Sequence, residues 1–259
     1  GDVMLTTSPT FGYYQPCARM QGMVVNAIPY EGDDYRFPLQ DMQRALAQLN
    51  PRLLLLCNPN NPTGTRLGAE AICQLAAAAP STLVVVDELY EAFTGDSVLP
   101  QADFSQTPNL VVLRSLSKTA GIAGLRLGIA LGSAAVVDRI SRVTGPYDIN
   151  SFAVIAGMAA LQDQAYVDDY VQEVLKAKAW LVNKLIKHQV RHHSAGGNYL
   201  LIWPSQGAAS CEAALRQEEI LVRSMAGKPL IDGSLRVSIG TTKQMKRFWK
   251  AFSAQQGLS

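Results

Sequence analysis

Three short polar clusters carry residue types that could do chemistry. The first is Asn58-Pro59-Asn60-Asn61-Pro62-Thr63-Gly64, and the second is Asp87-Glu88-Leu89-Tyr90. The third, Ser115-Leu116-Ser117-Lys118, runs on to Gly124-Leu125-Arg126-Leu127-Gly128. Taken singly, each has an ordinary explanation: an Asn-Pro-rich segment makes turns, an acid closing a strand caps a helix or is solvated, and Ser-x-Ser-Lys lies on a surface. Their order changes the reading. Each follows an apolar run of strand length, and open α/β sheets bind ligands beyond the C-terminal ends of their strands. One sheet edge would then carry a lysine amine able to condense with a carbonyl, two hydroxyls and an arginine for a phosphate, and an acid for a ring nitrogen.

The elements that must position these groups can be read from periodicity. Strands are expected at residues 23–28, 53–57, 83–87, 110–114 and 127–131, and an Ala- and Leu-rich helix over 68–79 ends at Pro80. Such alternation predicts an α/β layer fold with a mostly parallel sheet. Too few residues separate Ser117 from Leu127 for a parallel crossover, so the strand after Lys118 should return antiparallel to the one before it. That places Lys118 and Arg126 at the same end of the sheet. Residues 150–161 read as a helix capped by Asn150. Residues 166–187 read as a longer one, with an apolar face at Val167, Tyr170, Val171, Val174 and Leu181. Strands at 199–203, 221–223 and 235–239 and helices at 211–217 and 243–254 suggest a small α/β unit. The expected division is a large domain over 1–165 and a small C-terminal domain over 166–259.

Composition excludes several classes. Among 259 residues, 48% are hydrophobic and 17% charged, an ordinary globular balance, and the formal charge of +2 contains no block of like sign. A nucleic-acid partner is not expected. Cys17, Cys57, Cys73 and Cys211 are scattered without a CxxC pair, which fits a reducing cytoplasm better than a disulfide framework or zinc site. His188, His192 and His193 have no carboxylate at metal-ligand spacing and read as a wet, basic surface. No apolar run approaches the ~20 residues of a membrane span. The opening Gly1-Asp2-Val3 lacks the basic start of a signal peptide and hints at a fragment.

Pyridoxal 5'-phosphate asks for the set described above: a lysine for the Schiff base, an acid to keep the ring nitrogen protonated, and donors for the phosphate. Asp87, behind Leu83-Val84-Val85-Val86, should have a raised pKa from desolvation unless it meets a cation. A pyridinium N–H would serve, and a buried arginine is the alternative. The strings NPNNPTG, DELYEAF, RSLSK and GLRLG, followed downstream by LRVSIGT, resemble those of fold-type I pyridoxal-phosphate aminotransferases, most closely the histidinol-phosphate branch. The resemblance runs from Ser8-Pro9-Thr10-Phe11 to about Thr242 and is more specific for the cofactor than for the substrate.

The resemblance implies a large domain whose mostly parallel sheet has one antiparallel strand, and a small C-terminal α/β domain. It implies that Lys118 forms the Schiff base, that Asp87 holds the ring nitrogen, and that Asn61 and Tyr90 bond the phenolic oxygen. Ser115, Ser117 and Arg126 match the family's phosphate ligands. Phe11 takes the place of a stacking aromatic, often Tyr. Arg236 and Arg223 match residues that bind the substrate's anionic group, and two arginines favour a dianion. Small amine donors and 2-oxo acids such as 2-oxoglutarate are the implied partners, in a homodimer. The family also carries an N-terminal arm, a helix and a Gly-containing turn ahead of the segment that opens here, so a truncated chain with weak cofactor binding is expected. Competing readings are a threonine-phosphate decarboxylase, an aromatic aminotransferase and a non-catalytic effector domain of a regulator.

Overall fold

Apolar segments beginning at the third residue pair side by side into a six-stranded sheet. The computed structural model describes residues 1–258. The strands are β1 (Val3–Ser8), β2 (Val24–Pro29), β3 (Leu53–Cys57), β4 (Leu83–Asp87), β5 (Leu110–Arg114) and β6 (Ile129–Gly132), in the spatial order β2-β1-β3-β4-β5-β6. All neighbours are parallel except β5 and β6, where Val111 pairs with Gly132 and Arg114 with Ile129. The short return after Lys118 is therefore antiparallel, as chain length demanded.

Alternation along the strands decides what lies between the layers. Leu54, Leu56, Val84, Val86, Leu110 and Val112 turn inward against Met42 and Leu46 of helix α2 (Leu39–Leu49) and Ile72 and Leu75 of α3 (Ala69–Ala78). Strand β1, the helix α1 (Tyr14–Met20) and α2 were not expected from the sequence. Thr6 and Thr7 break the apolar pattern of β1, yet both are buried, with the Thr6 hydroxyl donating to Leu55 O at 2.7 Å and the Thr7 and Tyr30 hydroxyls 2.8 Å apart. Strand β6 begins two residues later than predicted. Arg126 takes a left-handed conformation (φ 60°), and the Ser115 hydroxyl claims Leu127 O at 3.0 Å, which delays ladder pairing.

Beyond α4 (Ala134–Ser141), α5 (Ser151–Gln162) is capped by Asn150, whose side chain accepts from Ala153 N at 2.8 Å. Helix α6 (Gln164–Lys187) buries Val167, Val171, Val174, Leu181 and Leu185. A second sheet, in the order β7-β8-β10-β9, joins β7 (His192–His193), β8 (Tyr199–Ile202), β9 (Arg223–Ser224) and β10 (Leu235–Ser238). It packs with α7 (Ala208–Gln217) and α8 (Thr242–Gln256) into a core that includes Leu215, Val237, Phe248 and Phe252. A reciprocal Thr241–Gln244 capping box starts α8.

The histidines correct the expectation of a wet surface. His193 is half-buried, lies 2.8 Å from Thr63 O and meets the Tyr35 ring edge-on at 4.6 Å. His192 is also half-buried, on β7. Both sit in a strand that the basic local composition concealed.

Candidate active site

The Asn58–Gly64 segment is not a solvated turn. Asn58, Asn60, Asn61 and Thr63 are all buried. Buried amides must be satisfied, and these divide into two groups. Asn58 bonds both backbone groups of Leu67, and Asn60 bonds Pro9 O, Thr63 and Thr10, so those two hold the loop's shape. Asn61 instead faces other side chains: its amide donates toward the Tyr90 hydroxyl at 3.3 Å, and its carbonyl accepts from Arg236 Nη1 at 2.8 Å. Tyr90 lies edge-on to Tyr199 at 4.9 Å, and burial pushes its phenol up to about 12, partly opposed by the Arg236 charge.

Asp87 closes β4 beside Cys57 of β3 and Leu113 of β5. Its carboxylate receives the Tyr14 hydroxyl at 2.5 Å on Oδ2 and the Leu89 N–H at 3.0 Å on Oδ1. Burial raises its pKa, and the two hydrogen bonds oppose the rise. The alternative of a buried arginine partner does not hold among the described residues. Arg114 pairs with Glu88 at 2.9 Å and with Glu91, leaving Asp87 without a cation. Sequence reasoning missed Tyr14. The available signal was its place three residues after Phe11, within a helix that has no apolar periodicity to announce it.

Ser115 and Ser117 meet through hydroxyls 2.8 Å apart, and the Ser115–Leu127 bond draws the Arg126 segment back against them. Arg126 is exposed and donates to Ala123 O in its own turn at 3.0 Å. Lys118 is half-buried in the turn that follows β5, where Ala120 N bonds Leu116 O at 3.0 Å. No hydrogen bond or ion pair among the described residues joins Lys118 to Asn61, Asp87 or Tyr90. The sheet edge alone relates them.

Phe11, Asn61, Arg223 and Arg236 line a single cleft of about 340 Å³. Phe11 is 42% exposed and touches Tyr14 edge-on at 5.3 Å. Arg223 of β9 and Arg236 of β10 are direct cross-strand partners. Arg236 Nε is buried without a hydrogen-bond partner among the described residues.

The donor set fits pyridoxal phosphate. A half-buried carboxylate with both oxygens oriented and no cation suits a pyridinium N–H, and paired serine hydroxyls at a turn suit a phosphate. Comparison with known proteins decides the family: the description "Aminotransferase class I and II" matches residues 1–252. The chain belongs to the class I and II aminotransferases. This pyridoxal-phosphate-dependent family includes relatives such as the histidinol-phosphate aminotransferase of Desulfitobacterium hafniense. That protein is 34% identical to this aminotransferase over 251 residues, covering 94% of this chain and 68% of the relative. Among solved structures, the Sinorhizobium meliloti histidinol-phosphate aminotransferase in complex with pyridoxal-5'-phosphate superposes with a TM-score of 0.86 at 22% identity, covering 98% of this chain and 70% of that one. The L-threonine-O-3-phosphate decarboxylase of Porphyromonas gingivalis gives 0.84 at 25% identity, covering 98% and 77%. Fold alone therefore does not separate amino transfer to different substrates from decarboxylation.

Among the described residues, no helix of this aminotransferase is long and apolar enough to cross a membrane. Among the described residues, no His, Cys, Asp and Glu side chains form a group of three or more that could hold a metal.

Proposed function

We propose that this aminotransferase moves an amino group from histidinol phosphate, or a closely related amine, to 2-oxoglutarate. The observation that carries the reading is the Arg223–Arg236 pair lining one cleft with Phe11 and Asn61. Two planar guanidinium forks suit a phosphate, and an aromatic wall suits a ring. When bound, the cofactor supplies the electron sink that makes the donor's α-carbon acidic. Lys118 would hold the cofactor, and its free amine would take the proton from the donor's α-carbon. Asp87 keeps the ring nitrogen protonated, with Tyr14 and Leu89 N–H fixing its orientation. Asn61 and Tyr90 would hydrogen-bond the ring's oxygen, Phe11 would stack on the ring, and Ser115, Ser117 and Arg126 would take the cofactor phosphate. Arg236 must accept the donor phosphate and the 2-oxo acid's carboxylate in turn.

Glutamate formation from histidinol phosphate and 2-oxoglutarate tests this. Replacement of Arg236 by Ala should raise KM by ten- to a hundredfold, the range of a lost charge-assisted contact of about 1.5–3 kcal/mol. An unchanged KM would remove Arg236 from the donor site. The likeness to the threonine-phosphate decarboxylase favours a second reading, decarboxylation, which carbon dioxide release from threonine phosphate would report.

The same proposal takes residues 1–165 as the cofactor-binding domain and 166–259 as the smaller one, with α6 passing between them. It assigns a homodimer, supported by the apolar exterior of α5, and a cytoplasmic setting, supported by four free thiols.

A further inference from the structure

We infer that Lys228 is a specificity-determining residue of the donor cleft, supplying a third positive charge that selects amines bearing a phosphate monoester over unphosphorylated ones. The inference rests on the donor reading of that cleft. Three cations, Arg223, Lys228 and Arg236, line it, and no carboxylate does. Arg223 and Arg236 are direct partners on neighbouring strands, an arrangement that costs stability when like charges are left to face each other. None of the three has an ion-pair partner among the described residues. One carboxylate needs a single arginine fork. Three convergent charges match a dianion.

Lys228 is exposed, but the turn that carries it is built. Lys228 N bonds Met225 O at 3.0 Å, and Met225 is buried. Asp232, the carboxylate nearest in sequence, accepts from Gly227 N at 2.8 Å and Gly233 N at 2.9 Å. Its backbone carbonyl accepts from Trp203 Nε1 at 3.0 Å. Asp232 therefore shapes the turn while Lys228 stays unneutralised at the cleft wall. The side chain acts as a point charge and not as a fork, so it discriminates by charge with little demand on geometry.

The test measures binding by calorimetry to the chain loaded with pyridoxamine phosphate, which cannot take a second amino group. The probes are histidinol phosphate, histidinol and inorganic phosphate. Lys228→Ala should weaken histidinol phosphate about fivefold, the scale of an exposed ion pair, and leave histidinol unchanged. Lys228→Arg should restore binding, and Lys228→Glu should weaken it by at least about twentyfold. The wild-type preference for histidinol phosphate should shrink as salt rises. Equal affinity of wild type and Lys228→Glu for histidinol phosphate would overturn the inference, as would equal losses for histidinol. Inorganic phosphate binding as tightly as histidinol phosphate would also overturn it, since the cleft would then select a free ion. Arg236→Ala separates the two levels. If that variant loses histidinol phosphate and the Lys228 variants do not, only the Lys228 assignment fails. If neither loses it, or wild type does not bind it, the donor reading itself fails.

Discussion

Asp87 and Glu88 are adjacent acids with different surroundings. Glu88 is matched by Arg114, Ser97 and the Val98 N–H, whereas Asp87 has only a hydroxyl and one N–H. Burial raises the Asp87 pKa, so its ionised form costs stability when no cation is bound. Below the ordinary carboxylate range, about pH 4, that cost is absent; it grows as pH rises to the raised folded value and is constant above it. Asp87→Asn should therefore raise the thermal midpoint of the cofactor-free chain at pH 7 and leave it unchanged near pH 3. Equal midpoints at pH 7, followed by circular dichroism, would show that Tyr14 and Leu89 fully compensate the burial. Tyr14→Phe removes one charge-assisted bond and should weaken pyridoxal phosphate binding about tenfold or more in a spectral titration. The acid could be read from the sequence because four apolar residues precede it. Its hydroxyl partner could not, since 73 residues separate the two and no local pattern links them.

At the scale of elements, the loop 58–64 is held by residues far along the chain, beside and within β8. Gly196 N donates to Gly64 O at 2.8 Å, and the Tyr199 hydroxyl reaches Asn60 O at 2.5 Å. A side-chain carbon at Gly196 would stand 2.7 Å from Pro59 Cβ and 2.8 Å from Gly64 O. Gly196→Ala should lower stability by about 1–3 kcal/mol, as overpacking does, and displace Asn61; urea denaturation would read the first effect. Lys178 of α6 secures the segment around Gly196 by donating to Ala195 O and to Gly197 O, the latter at 2.9 Å. Burial pushes its ammonium down to about 8. The unfolded chain holds that proton up to about pH 10.4, so folding releases it between these values and stability should rise with pH there. Lys178→Met should abolish the rise; its persistence in the variant would place its origin elsewhere. The alternating strands β3, β4 and β5 and the apolar face of α6 were legible because one face of each is buried. Helix α1 was not, because its buried positions are few, Tyr14 and Ala18; α2 was missed although Leu39, Met42, Leu46 and Leu49 carry the apolar spacing of an amphipathic helix.

On the scale of the whole molecule, α5 stands out. Its sequence is apolar all round, yet Phe152, Val154, Ile155, Met158 and Leu161 are exposed. Helices of that kind are buried in stable assemblies. Sedimentation velocity should show self-association that rises with concentration, and Ile155→Glu should reduce it; a monomer at all concentrations would count against the homodimer. All of the roles proposed for the site residues depend on the attachment of the cofactor at Lys118. Treating the chain with pyridoxal phosphate, reducing it with borohydride and mapping the modified peptide by mass spectrometry tests it most directly. A pyridoxyl group is expected on Lys118, and none at any site after Lys118→Ala. Modification of a different lysine, unaltered by that substitution, would contradict it.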